Sequence, residues 1–173
     1  MAKEQSVLIA VDTNVLLDQA VGDQDVIDAI EVIKSRLPDA RLIVPPTVLE
    51  ELAVQMGRGS AAERAAAEKV LRCLLSWGYE PLNLIPTGKG ITEQIALKLR
   101  IKGILPHGEK NDSYVIAESA LIGCSILLSS DRHLLDAQDN KAFRGVLKDA
   151  DVDGYELIIA TPRKIALQFF RRR

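Results

Sequence analysis

Four acidic residues that could share one reaction stand beside the apolar segments of this chain. Asp12 directly follows the apolar run Val7–Val11, and Asp131 comes directly after the run "CSILLSS". Asp112 opens the segment that leads into that last run, and Glu51 lies one turn into the segment after "ARLIV". Carboxylates that meet at one point can bind a hard divalent cation, which activates water against a phosphate ester. These residue types therefore indicate metal-assisted phosphoryl chemistry.

Each of these acids also has a purely structural interpretation. Asp12 and Asp131 could cap the helices that follow them, and Asp112 could complement a helix dipole. If Asp12 binds a metal instead, we expect Thr13 to take over the cap of its helix. Four acids at one site repel one another, so at pH 7 they stay ionised together only around a cation, or else their pKa values rise. Oxygen ligands favour Mg²⁺ or Mn²⁺, and no His and Cys set with zinc spacing competes.

Two neighbouring glutamates are predicted to have different roles. Thr47 and Glu50 form a T-x-x-E pattern that is typical of a capping box at a helix N-terminus. Glu51 is rotated from Glu50 by about 100° around the helix axis and shares its face with Val48 and Leu52. A carboxylate on such an inward face is costly unless a cation pairs with it. We therefore predict that Glu51 binds the metal and that Glu50 caps the helix.

The elements that must position these acids alternate between strands and helices. This order predicts a three-layer α/β/α sandwich with a mostly parallel central sheet of four to five strands. Ligand sites in such sheets lie beyond the carboxyl ends of the strands, which is where the acids fall. A capping box of Ser60 and Glu63 opens a long helix between the second and third strands. The predicted strands are Val7–Val11, Ala40–Val44, "CSILLSS" and "YELIIAT", and "EPLNLIP" is predicted to be either a further strand or an extended connection.

Composition limits the class of protein. The 173 residues are 47% hydrophobic and 27% charged, which indicates one globular domain over residues 1–173. The net charge of −2 does not show the overall positive charge that is typical of nucleic-acid-binding domains. A local basic patch is compatible with this net charge. Cys73 and Cys124 fit reduced buried thiols and a cytoplasmic location. No apolar run approaches the roughly 20 residues that span a bilayer, so we expect no membrane association.

Several motifs together carry a family resemblance. "VDTNVLLD", "PPTVLEEL", "NDSYVIAESA" and "LLSSDRHLL" occur in the order of the PIN-domain nucleases, and "IIATPRKIA" resembles the last strand of that family. Each motif is weak alone, but their joint order and spacing are specific, and the resemblance covers nearly the whole chain. It implies a Mg²⁺- or Mn²⁺-dependent nuclease, with RNA favoured over DNA, that leaves 5′-phosphate and 3′-hydroxyl ends.

The resemblance also implies roles for particular residues. It marks four metal-coordinating, catalytic acids and two supporting polar residues, with either Glu51 or Asp112 orienting the water. The acids are Asp12, Glu51, Asp112 and Asp131, and the supporting residues are Asn14 and Ser129.

The chain departs from the family pattern in two places. Some members carry a further acid two or three residues after the last one, where this chain has His133 and Leu134. Asp136 is the nearest acid, so the number of metal ions and the part played by His133 or Asp136 stay open. The chain is also longer than compact members, and we expect a helical elaboration around residues 57–80 to shape substrate or partner choice.

Basic residues provide further candidates. His107 and Lys110 lie near Asp112 in sequence and could bind substrate phosphate, although a solvated loop histidine and a local charge offset are the alternatives. A second group could contact phosphates or form a solvated surface and a frayed tail. That group is Arg58, Arg163, Lys164 and Arg171–Arg173. Aromatic residues make up only 4% of the chain, so we expect no stacked platform for single strands.

Two other functions compete with the nuclease. A non-catalytic RNA-binding or assembly module could retain the same fold. A phosphohydrolase of the haloacid-dehalogenase type needs a D-x-D motif, but Asn14 stands where its second aspartate belongs. The resemblance further implies homodimerisation and an antitoxin-like protein partner as expectations, although the extra length favours a stand-alone member.

Overall fold

A five-stranded sheet forms the centre of the computed structural model, which describes residues 6–170. All neighbouring strands are parallel, and their order is β3-β2-β1-β4-β5. This arrangement confirms the predicted parallel sheet. The strands are β1 (Leu8–Val11), β2 (Arg41–Val44), β3 (Tyr79–Pro81), β4 (Ile126–Leu128) and β5 (Ile158–Ala160).

Helices cover both faces of the sheet. Contacts join α1 with α2 and α4, α2 with α9, and α3 with α4, whereas α5, α6, α7 and α8 contact one another in a second group. These two groups give the predicted three-layer α/β/α sandwich. The helices are α1 (Thr13–Val21), α2 (Gln24–Arg36), α3 (Pro46–Arg58), α4 (Ala61–Cys73), α5 (Pro86–Ile101), α6 (Lys110–Ile122), α7 (Arg132–Asp139), α8 (Phe143–Asp149) and α9 (Pro162–Gln168).

The middle of the sheet is buried on both faces. Ile9, Ala10 and Val11 of β1 and Leu127 and Leu128 of β4 are fully buried. Parallel strands covered by helices on both sides have such continuous apolar runs, which is why the sequence showed them without polar alternation. None of the helices in the described range is long and apolar enough to cross a membrane.

The order of the strands determines where in the fold the acidic residues lie. The chain moves from β1 outward to β2 and β3, then returns past β1 to form β4 and β5. The sheet therefore reverses its winding direction between β1 and β4, and a crevice opens at the carboxyl ends of these two strands. Asp12 and Asp131 follow these two ends in sequence.

Two helix assignments differ from the sequence-based expectation. Helix α5 begins at Pro86, although "EPLNLIP" was predicted to be wholly extended. A proline fits the first position of a helix because its missing N–H would have no partner there. Helix α8 was not predicted, and it is held by Phe143, Val146 and Leu147, which are fully buried at helical spacing.

The region expected to be a helical elaboration contains the end of α3, all of α4 and the turn into β3. Ser60 accepts a hydrogen bond from the Glu63 backbone, and Glu63 accepts one from the Ser60 backbone, so the predicted capping box is present. Helix α4 packs against α1 and α3. Its effect on substrate or partner choice stays a proposal.

Gly154 supports a prediction about stability. A Cβ atom on Gly154 would lie 2.5 Å from the carbonyl oxygen of Ala120 and 2.7 Å from its Cα. We expect Gly154→Ala to lower the free energy of unfolding by about 1–3 kcal/mol, because the backbone of α6 must shift. Gly145→Ala in α8 is the matched control, since a Cβ there meets nothing within 4 Å. Urea denaturation of both variants measures the difference, and equal stabilities would contradict it.

Candidate functional site

Asp12 lies at the carboxyl end of β1 and is only 5% exposed. Its backbone N–H donates to the carbonyl of Leu128 at 2.9 Å, which continues the pairing of β1 with β4. Its Oδ1 accepts from the N–H of Thr13 at 2.8 Å, and its Oδ2 accepts from the hydroxyl of Ser129 at 2.7 Å. Asp12 therefore caps α1, and its carboxylate also lines the crevice between the two strands.

Ser129 and Asn14 join the two loops that follow β1 and β4. The Ser129 hydroxyl donates to Asp12 and accepts from the N–H of Asp131 at 2.9 Å and from Asn14 Nδ2 at 3.4 Å. Asn14 Oδ1 in turn accepts from the N–H of Ser130 at 3.2 Å. The structure thus brings together both residues that the resemblance marked as supporting, and each holds an acidic loop in place.

The Glu118 carboxylate binds the N-terminus of α3, and this contact was not predicted from the sequence. Its carboxylate, only 5% exposed, accepts from the N–H of Thr47 at 3.0 Å and from the Thr47 hydroxyl at 2.8 Å. The predicted Thr47–Glu50 capping box is therefore wrong: the N-cap position is Pro45, and Glu50 is exposed. A carboxylate from α6 meets the free N–H groups of α3 instead, and no local sequence pattern signals a contact across 71 residues.

Glu51 follows Thr47 by one turn on the same side of α3. Its Oε1 accepts from Asn111 Nδ2 at 2.9 Å, and its Oε2 accepts from the hydroxyl of Thr13. Thr13 had been expected to cap α1, but it orients Glu51 while Asp12 is the cap. Glu51 therefore faces the crevice, as the sequence predicted.

Asp112 is the acid with the most disturbed environment. It lies in the first turn of α6, and its Oδ2 is buried without any hydrogen-bond partner. Burial, reinforced by the negative charges of Asp131 and Asp12, raises the pKa of Asp112 to about 8. Burial also raises the pKa of Asp12 to about 6, although the hydrogen bonds from Ser129 and Thr13 oppose this rise. Without a cation, both groups keep their protons to a higher pH than an ordinary aspartate does, and Asp112 favours the protonated form at pH 7.

Asp131 both caps a helix and lines the crevice. Its Oδ1 accepts from the N–H of His133 at 2.7 Å and from that of Leu134 at 3.4 Å, so it caps α7. It also lines the crevice, and its charge acts on both Asp12 and Asp112. The structural interpretation of Asp131 is therefore correct and does not remove it from the site.

All four acids line one cavity of about 510 Å³. Gln55 also lines it, one turn after Glu51, and its Oε1 is buried without a hydrogen-bond partner. The sequence placed Gln55 on the same inward helix face as Glu51, four residues further on, but Gln55 was not among the predicted site residues. Two orphaned oxygen atoms in one cavity call for a cation or donor groups. The remaining lining residues are Thr13, Asn14, Leu17, Thr47, Glu50, Val54 and Asn111.

The cavity fits a hard divalent cation by its donor chemistry. Its charged side chains are all carboxylates, one buried carboxylate oxygen has no hydrogen-bond partner, and positive charge would offset the burial and mutual repulsion of these groups. Within residues 6–170, however, no three His, Cys, Asp and Glu side chains are already placed to hold one ion. Both carboxylate oxygens of Glu51 and Oδ1 of Asp131 already accept hydrogen bonds.

Other candidate residues lie at the margin of this cavity or away from it. His107 is exposed in the loop before α6 and is absent from the lining, and Lys110 is exposed and also outside it. His133 Nε2 lies 3.5 Å from Glu109 Oε1, and Asp136 faces Arg132 at 3.7 Å. Neither His133 nor Asp136 lines the acid cavity.

The remaining basic candidates do not form one patch with the acids. Arg58 and Lys164 are exposed, and the Arg163 guanidinium lies 3.9 Å from the carboxylate of Asp25. None of the three lines the acid cavity. Arg171–Arg173 fall outside the described residues.

Ser129 supports a second prediction about stability. Ser129→Ala removes a buried hydroxyl that bonds Asp12, Asp131 and Asn14, and we expect a loss of about 1–3 kcal/mol. Ser125→Ala, on an exposed position just before β4, is the control. Chemical denaturation at pH 7 measures both, and a Ser129→Ala variant as stable as the control would contradict the prediction.

The architecture and the acid cavity define a class: a parallel α/β protein with carboxylates gathered where the winding of its sheet reverses. Residues 9–140 match the family model described as the PIN domain, so the chain belongs to the PIN-domain family. Members of this family are nucleases that generally use divalent metal ions. No curated protein sequence is similar enough to count as a relative.

A solved structure with the same fold agrees with this assignment. It is the crystal structure of VapBC2 from Rickettsia felis bound to a DNA fragment from their promoter. The similarity covers 89% of this chain and 99% of the other, with a TM-score of 0.60 and 14% sequence identity. At this identity the likeness concerns the fold.

Proposed function

We propose that this protein is a divalent-metal-dependent ribonuclease that hydrolyses phosphodiester bonds to 5′-phosphate and 3′-hydroxyl ends. The observation that supports this most is the buried, unpartnered Oδ2 of Asp112 in a cavity shared with Asp12, Glu51 and Asp131. Such a cluster is stable in its ionised form only beside a cation, and Mg²⁺ or Mn²⁺ suits its oxygen donors.

The four carboxylates would hold the cation, which supplies water activation and charge neutralisation at the phosphate. Ser129 and Thr13 keep the carboxylate of Asp12 directed into the cavity. Thr13 and Asn111 orient Glu51, which leaves Glu51 or Asp112 to align the attacking water and accept its proton. The water oxygen forms a bond to phosphorus, the bond from phosphorus to O3′ breaks, and O3′ takes up a proton.

The partners of this activity are part of the proposal. RNA is the preferred substrate on the basis of the family resemblance. One chain of the VapBC2 structure has the same fold, and we extend the proposal to an antitoxin-like protein partner. Light scattering would test the expected homodimer. The expected compartment is the cytoplasm, with which the free thiols of Cys73 and Cys124 are compatible.

A cleavage assay tests the proposed activity. Structured and single-stranded RNA are incubated with the protein and Mg²⁺ or Mn²⁺, and parallel samples contain EDTA. We expect metal-dependent products with 5′-phosphate ends and no cleavage by Asp12→Asn. Asp136→Asn, an exposed acid outside the cavity, serves as the control and retains activity. Cleavage that continues unchanged in EDTA or in Asp12→Asn rejects the proposal.

A non-catalytic RNA-binding module is the second candidate. The absence of a ready-made three-ligand group among residues 6–170 favours it. RNA binding that is unchanged by EDTA, with no cleavage under either metal, would support this candidate over the nuclease.

A further inference from the structure

A second cavity of about 320 Å³ adjoins the acid cavity. It lies between the start of α3, the segment after β3, and helices α5 and α6. Thr47, Glu50 and Asn111 line both cavities, so the two share a wall. Asn111 also donates to Glu51, which connects the shared wall directly to the acids. The volume of this second cavity lies at the lower end of the range for small-ligand sites.

The lining of this second cavity differs from that of the acid cavity. It includes Tyr114, an aromatic residue in a chain that is only 4% aromatic, and two lysines, Lys89 and Lys110. The ammonium of Lys110 lies 6.0 Å from the centre of the Tyr114 ring. The exposed Asn83 adds an amide that can both donate and accept hydrogen bonds.

The lining also holds three acidic residues beside its two exposed lysines. Glu118 already accepts two hydrogen bonds from Thr47 and holds the start of α3. Glu50 and Glu93 are exposed, so water screens their charges. Lys110, whose ammonium lies near the Tyr114 ring, and the exposed Lys89 each offer a positive charge to an anionic, planar ligand.

We propose that this second cavity binds one unpaired nucleotide of the substrate next to the bond that is cleaved. The base contacts Tyr114, and its phosphate lies near Lys89 and Lys110. Any base can use an aromatic contact because every base has a π-face, whereas the lysines read only the backbone. This inference rests on the proposed function, because it makes the second cavity an extension of the acid site along the strand.

Equilibrium binding tests the inference without cleavage. A short fluorescein-labelled single-stranded RNA is titrated with the protein in EDTA, and the dissociation constant is read from fluorescence anisotropy. Tyr114→Leu should weaken binding by about 5- to 100-fold, and Tyr114→Phe, which keeps the ring, by less than about twofold. Tyr155→Leu is the matched control, since Tyr155 is exposed and lines neither cavity.

The lysines give an independent measurement. Lys89→Gln combined with Lys110→Gln should reduce the dependence of affinity on salt, whereas Lys141→Gln, at an exposed position outside the cavity, should not. Circular dichroism checks that each variant is folded. Wild-type affinity in both the Tyr114→Leu and the double lysine variants, or no binding of RNA by the wild type, overturns the inference. RNA binding through Tyr114 without cleavage in Mn²⁺ would instead reject the proposed function alone.

Discussion

Asp112→Asn is expected to lower the rate of RNA cleavage by about 10²- to 10³-fold and, at pH 8, to make the metal-free protein more stable. The cleavage rate falls because an amide cannot neutralise a divalent cation. Stability rises because the substitution removes a half-buried carboxyl whose ionisation is opposed by burial and by four neighbouring acids. Most substitutions at a structurally important position would lower both quantities, so this opposite response is diagnostic of a functional acid.

The experiment compares wild type, Asp112→Asn and Glu68→Gln. Glu68 is an exposed acid on α4, outside the acid cavity, and its change should leave both measurements unaltered. Cleavage rates are measured with Mn²⁺ and Mg²⁺, and urea denaturation is followed in EDTA. A fully active Asp112→Asn variant would remove Asp112 from the site, and a less stable one would contradict the electrostatic explanation.

The second large effect is a loss of stability of the metal-free protein as the pH rises. The folded-state pKa values of Asp12 and Asp112, about 6 and about 8, both exceed the ordinary value of 3.8. The folded protein therefore holds these protons more tightly than the unfolded chain does. Their stabilising contribution is complete below pH 3.8 and is lost as the pH passes through about 6 and then about 8.

The magnitude of this effect can be bounded. For the buried Asp12, the rise from 3.8 to about 6 corresponds to a loss of about 3 kcal/mol at high pH. Asp112 is partly exposed, so solvent reduces its contribution. Mn²⁺ should restore stability at pH 8 because it binds the ionised carboxylates of the folded state.

Thermal or urea denaturation from pH 5 to pH 9 tests this prediction. The difference between wild type and Asp112→Asn cancels the titration of distant groups, and it should be small at pH 5 and large at pH 9. The same difference measured with saturating Mn²⁺ should reverse its sign. A difference that does not vary with pH would show that Asp112 is ionised throughout this range.

The acidic site could be predicted from the sequence because its signals are local. A carboxylate directly after a continuous apolar run lies at the end of a buried strand, and this placed Asp12 and Asp131. Because successive helical residues are rotated by about 100°, Glu51 and Glu50 were predicted to lie on different faces of the helix. Strand and helix alternation then predicted the parallel sheet that gathers these ends on one edge.

The tertiary structure decided which side chains hold the acids. Glu118 replaces Glu50 at the start of α3, Thr13 bonds Glu51 in place of capping α1, and Ser129 bonds Asp12 across 117 residues. It also decided that Tyr114 lines a cavity beside the acids, although sparse aromatics had indicated no platform. The periodicity that predicts strands and helices depends on residues that are neighbours in sequence. The hydrogen-bond partners of the acids are distant in sequence, so they depend on how the elements pack together. The sequence of this protein therefore determined where its carboxylates emerge, and only the packing of α3 against α6 and the pairing of β1 with β4 decided their hydrogen bonds, their pKa values and the space around them.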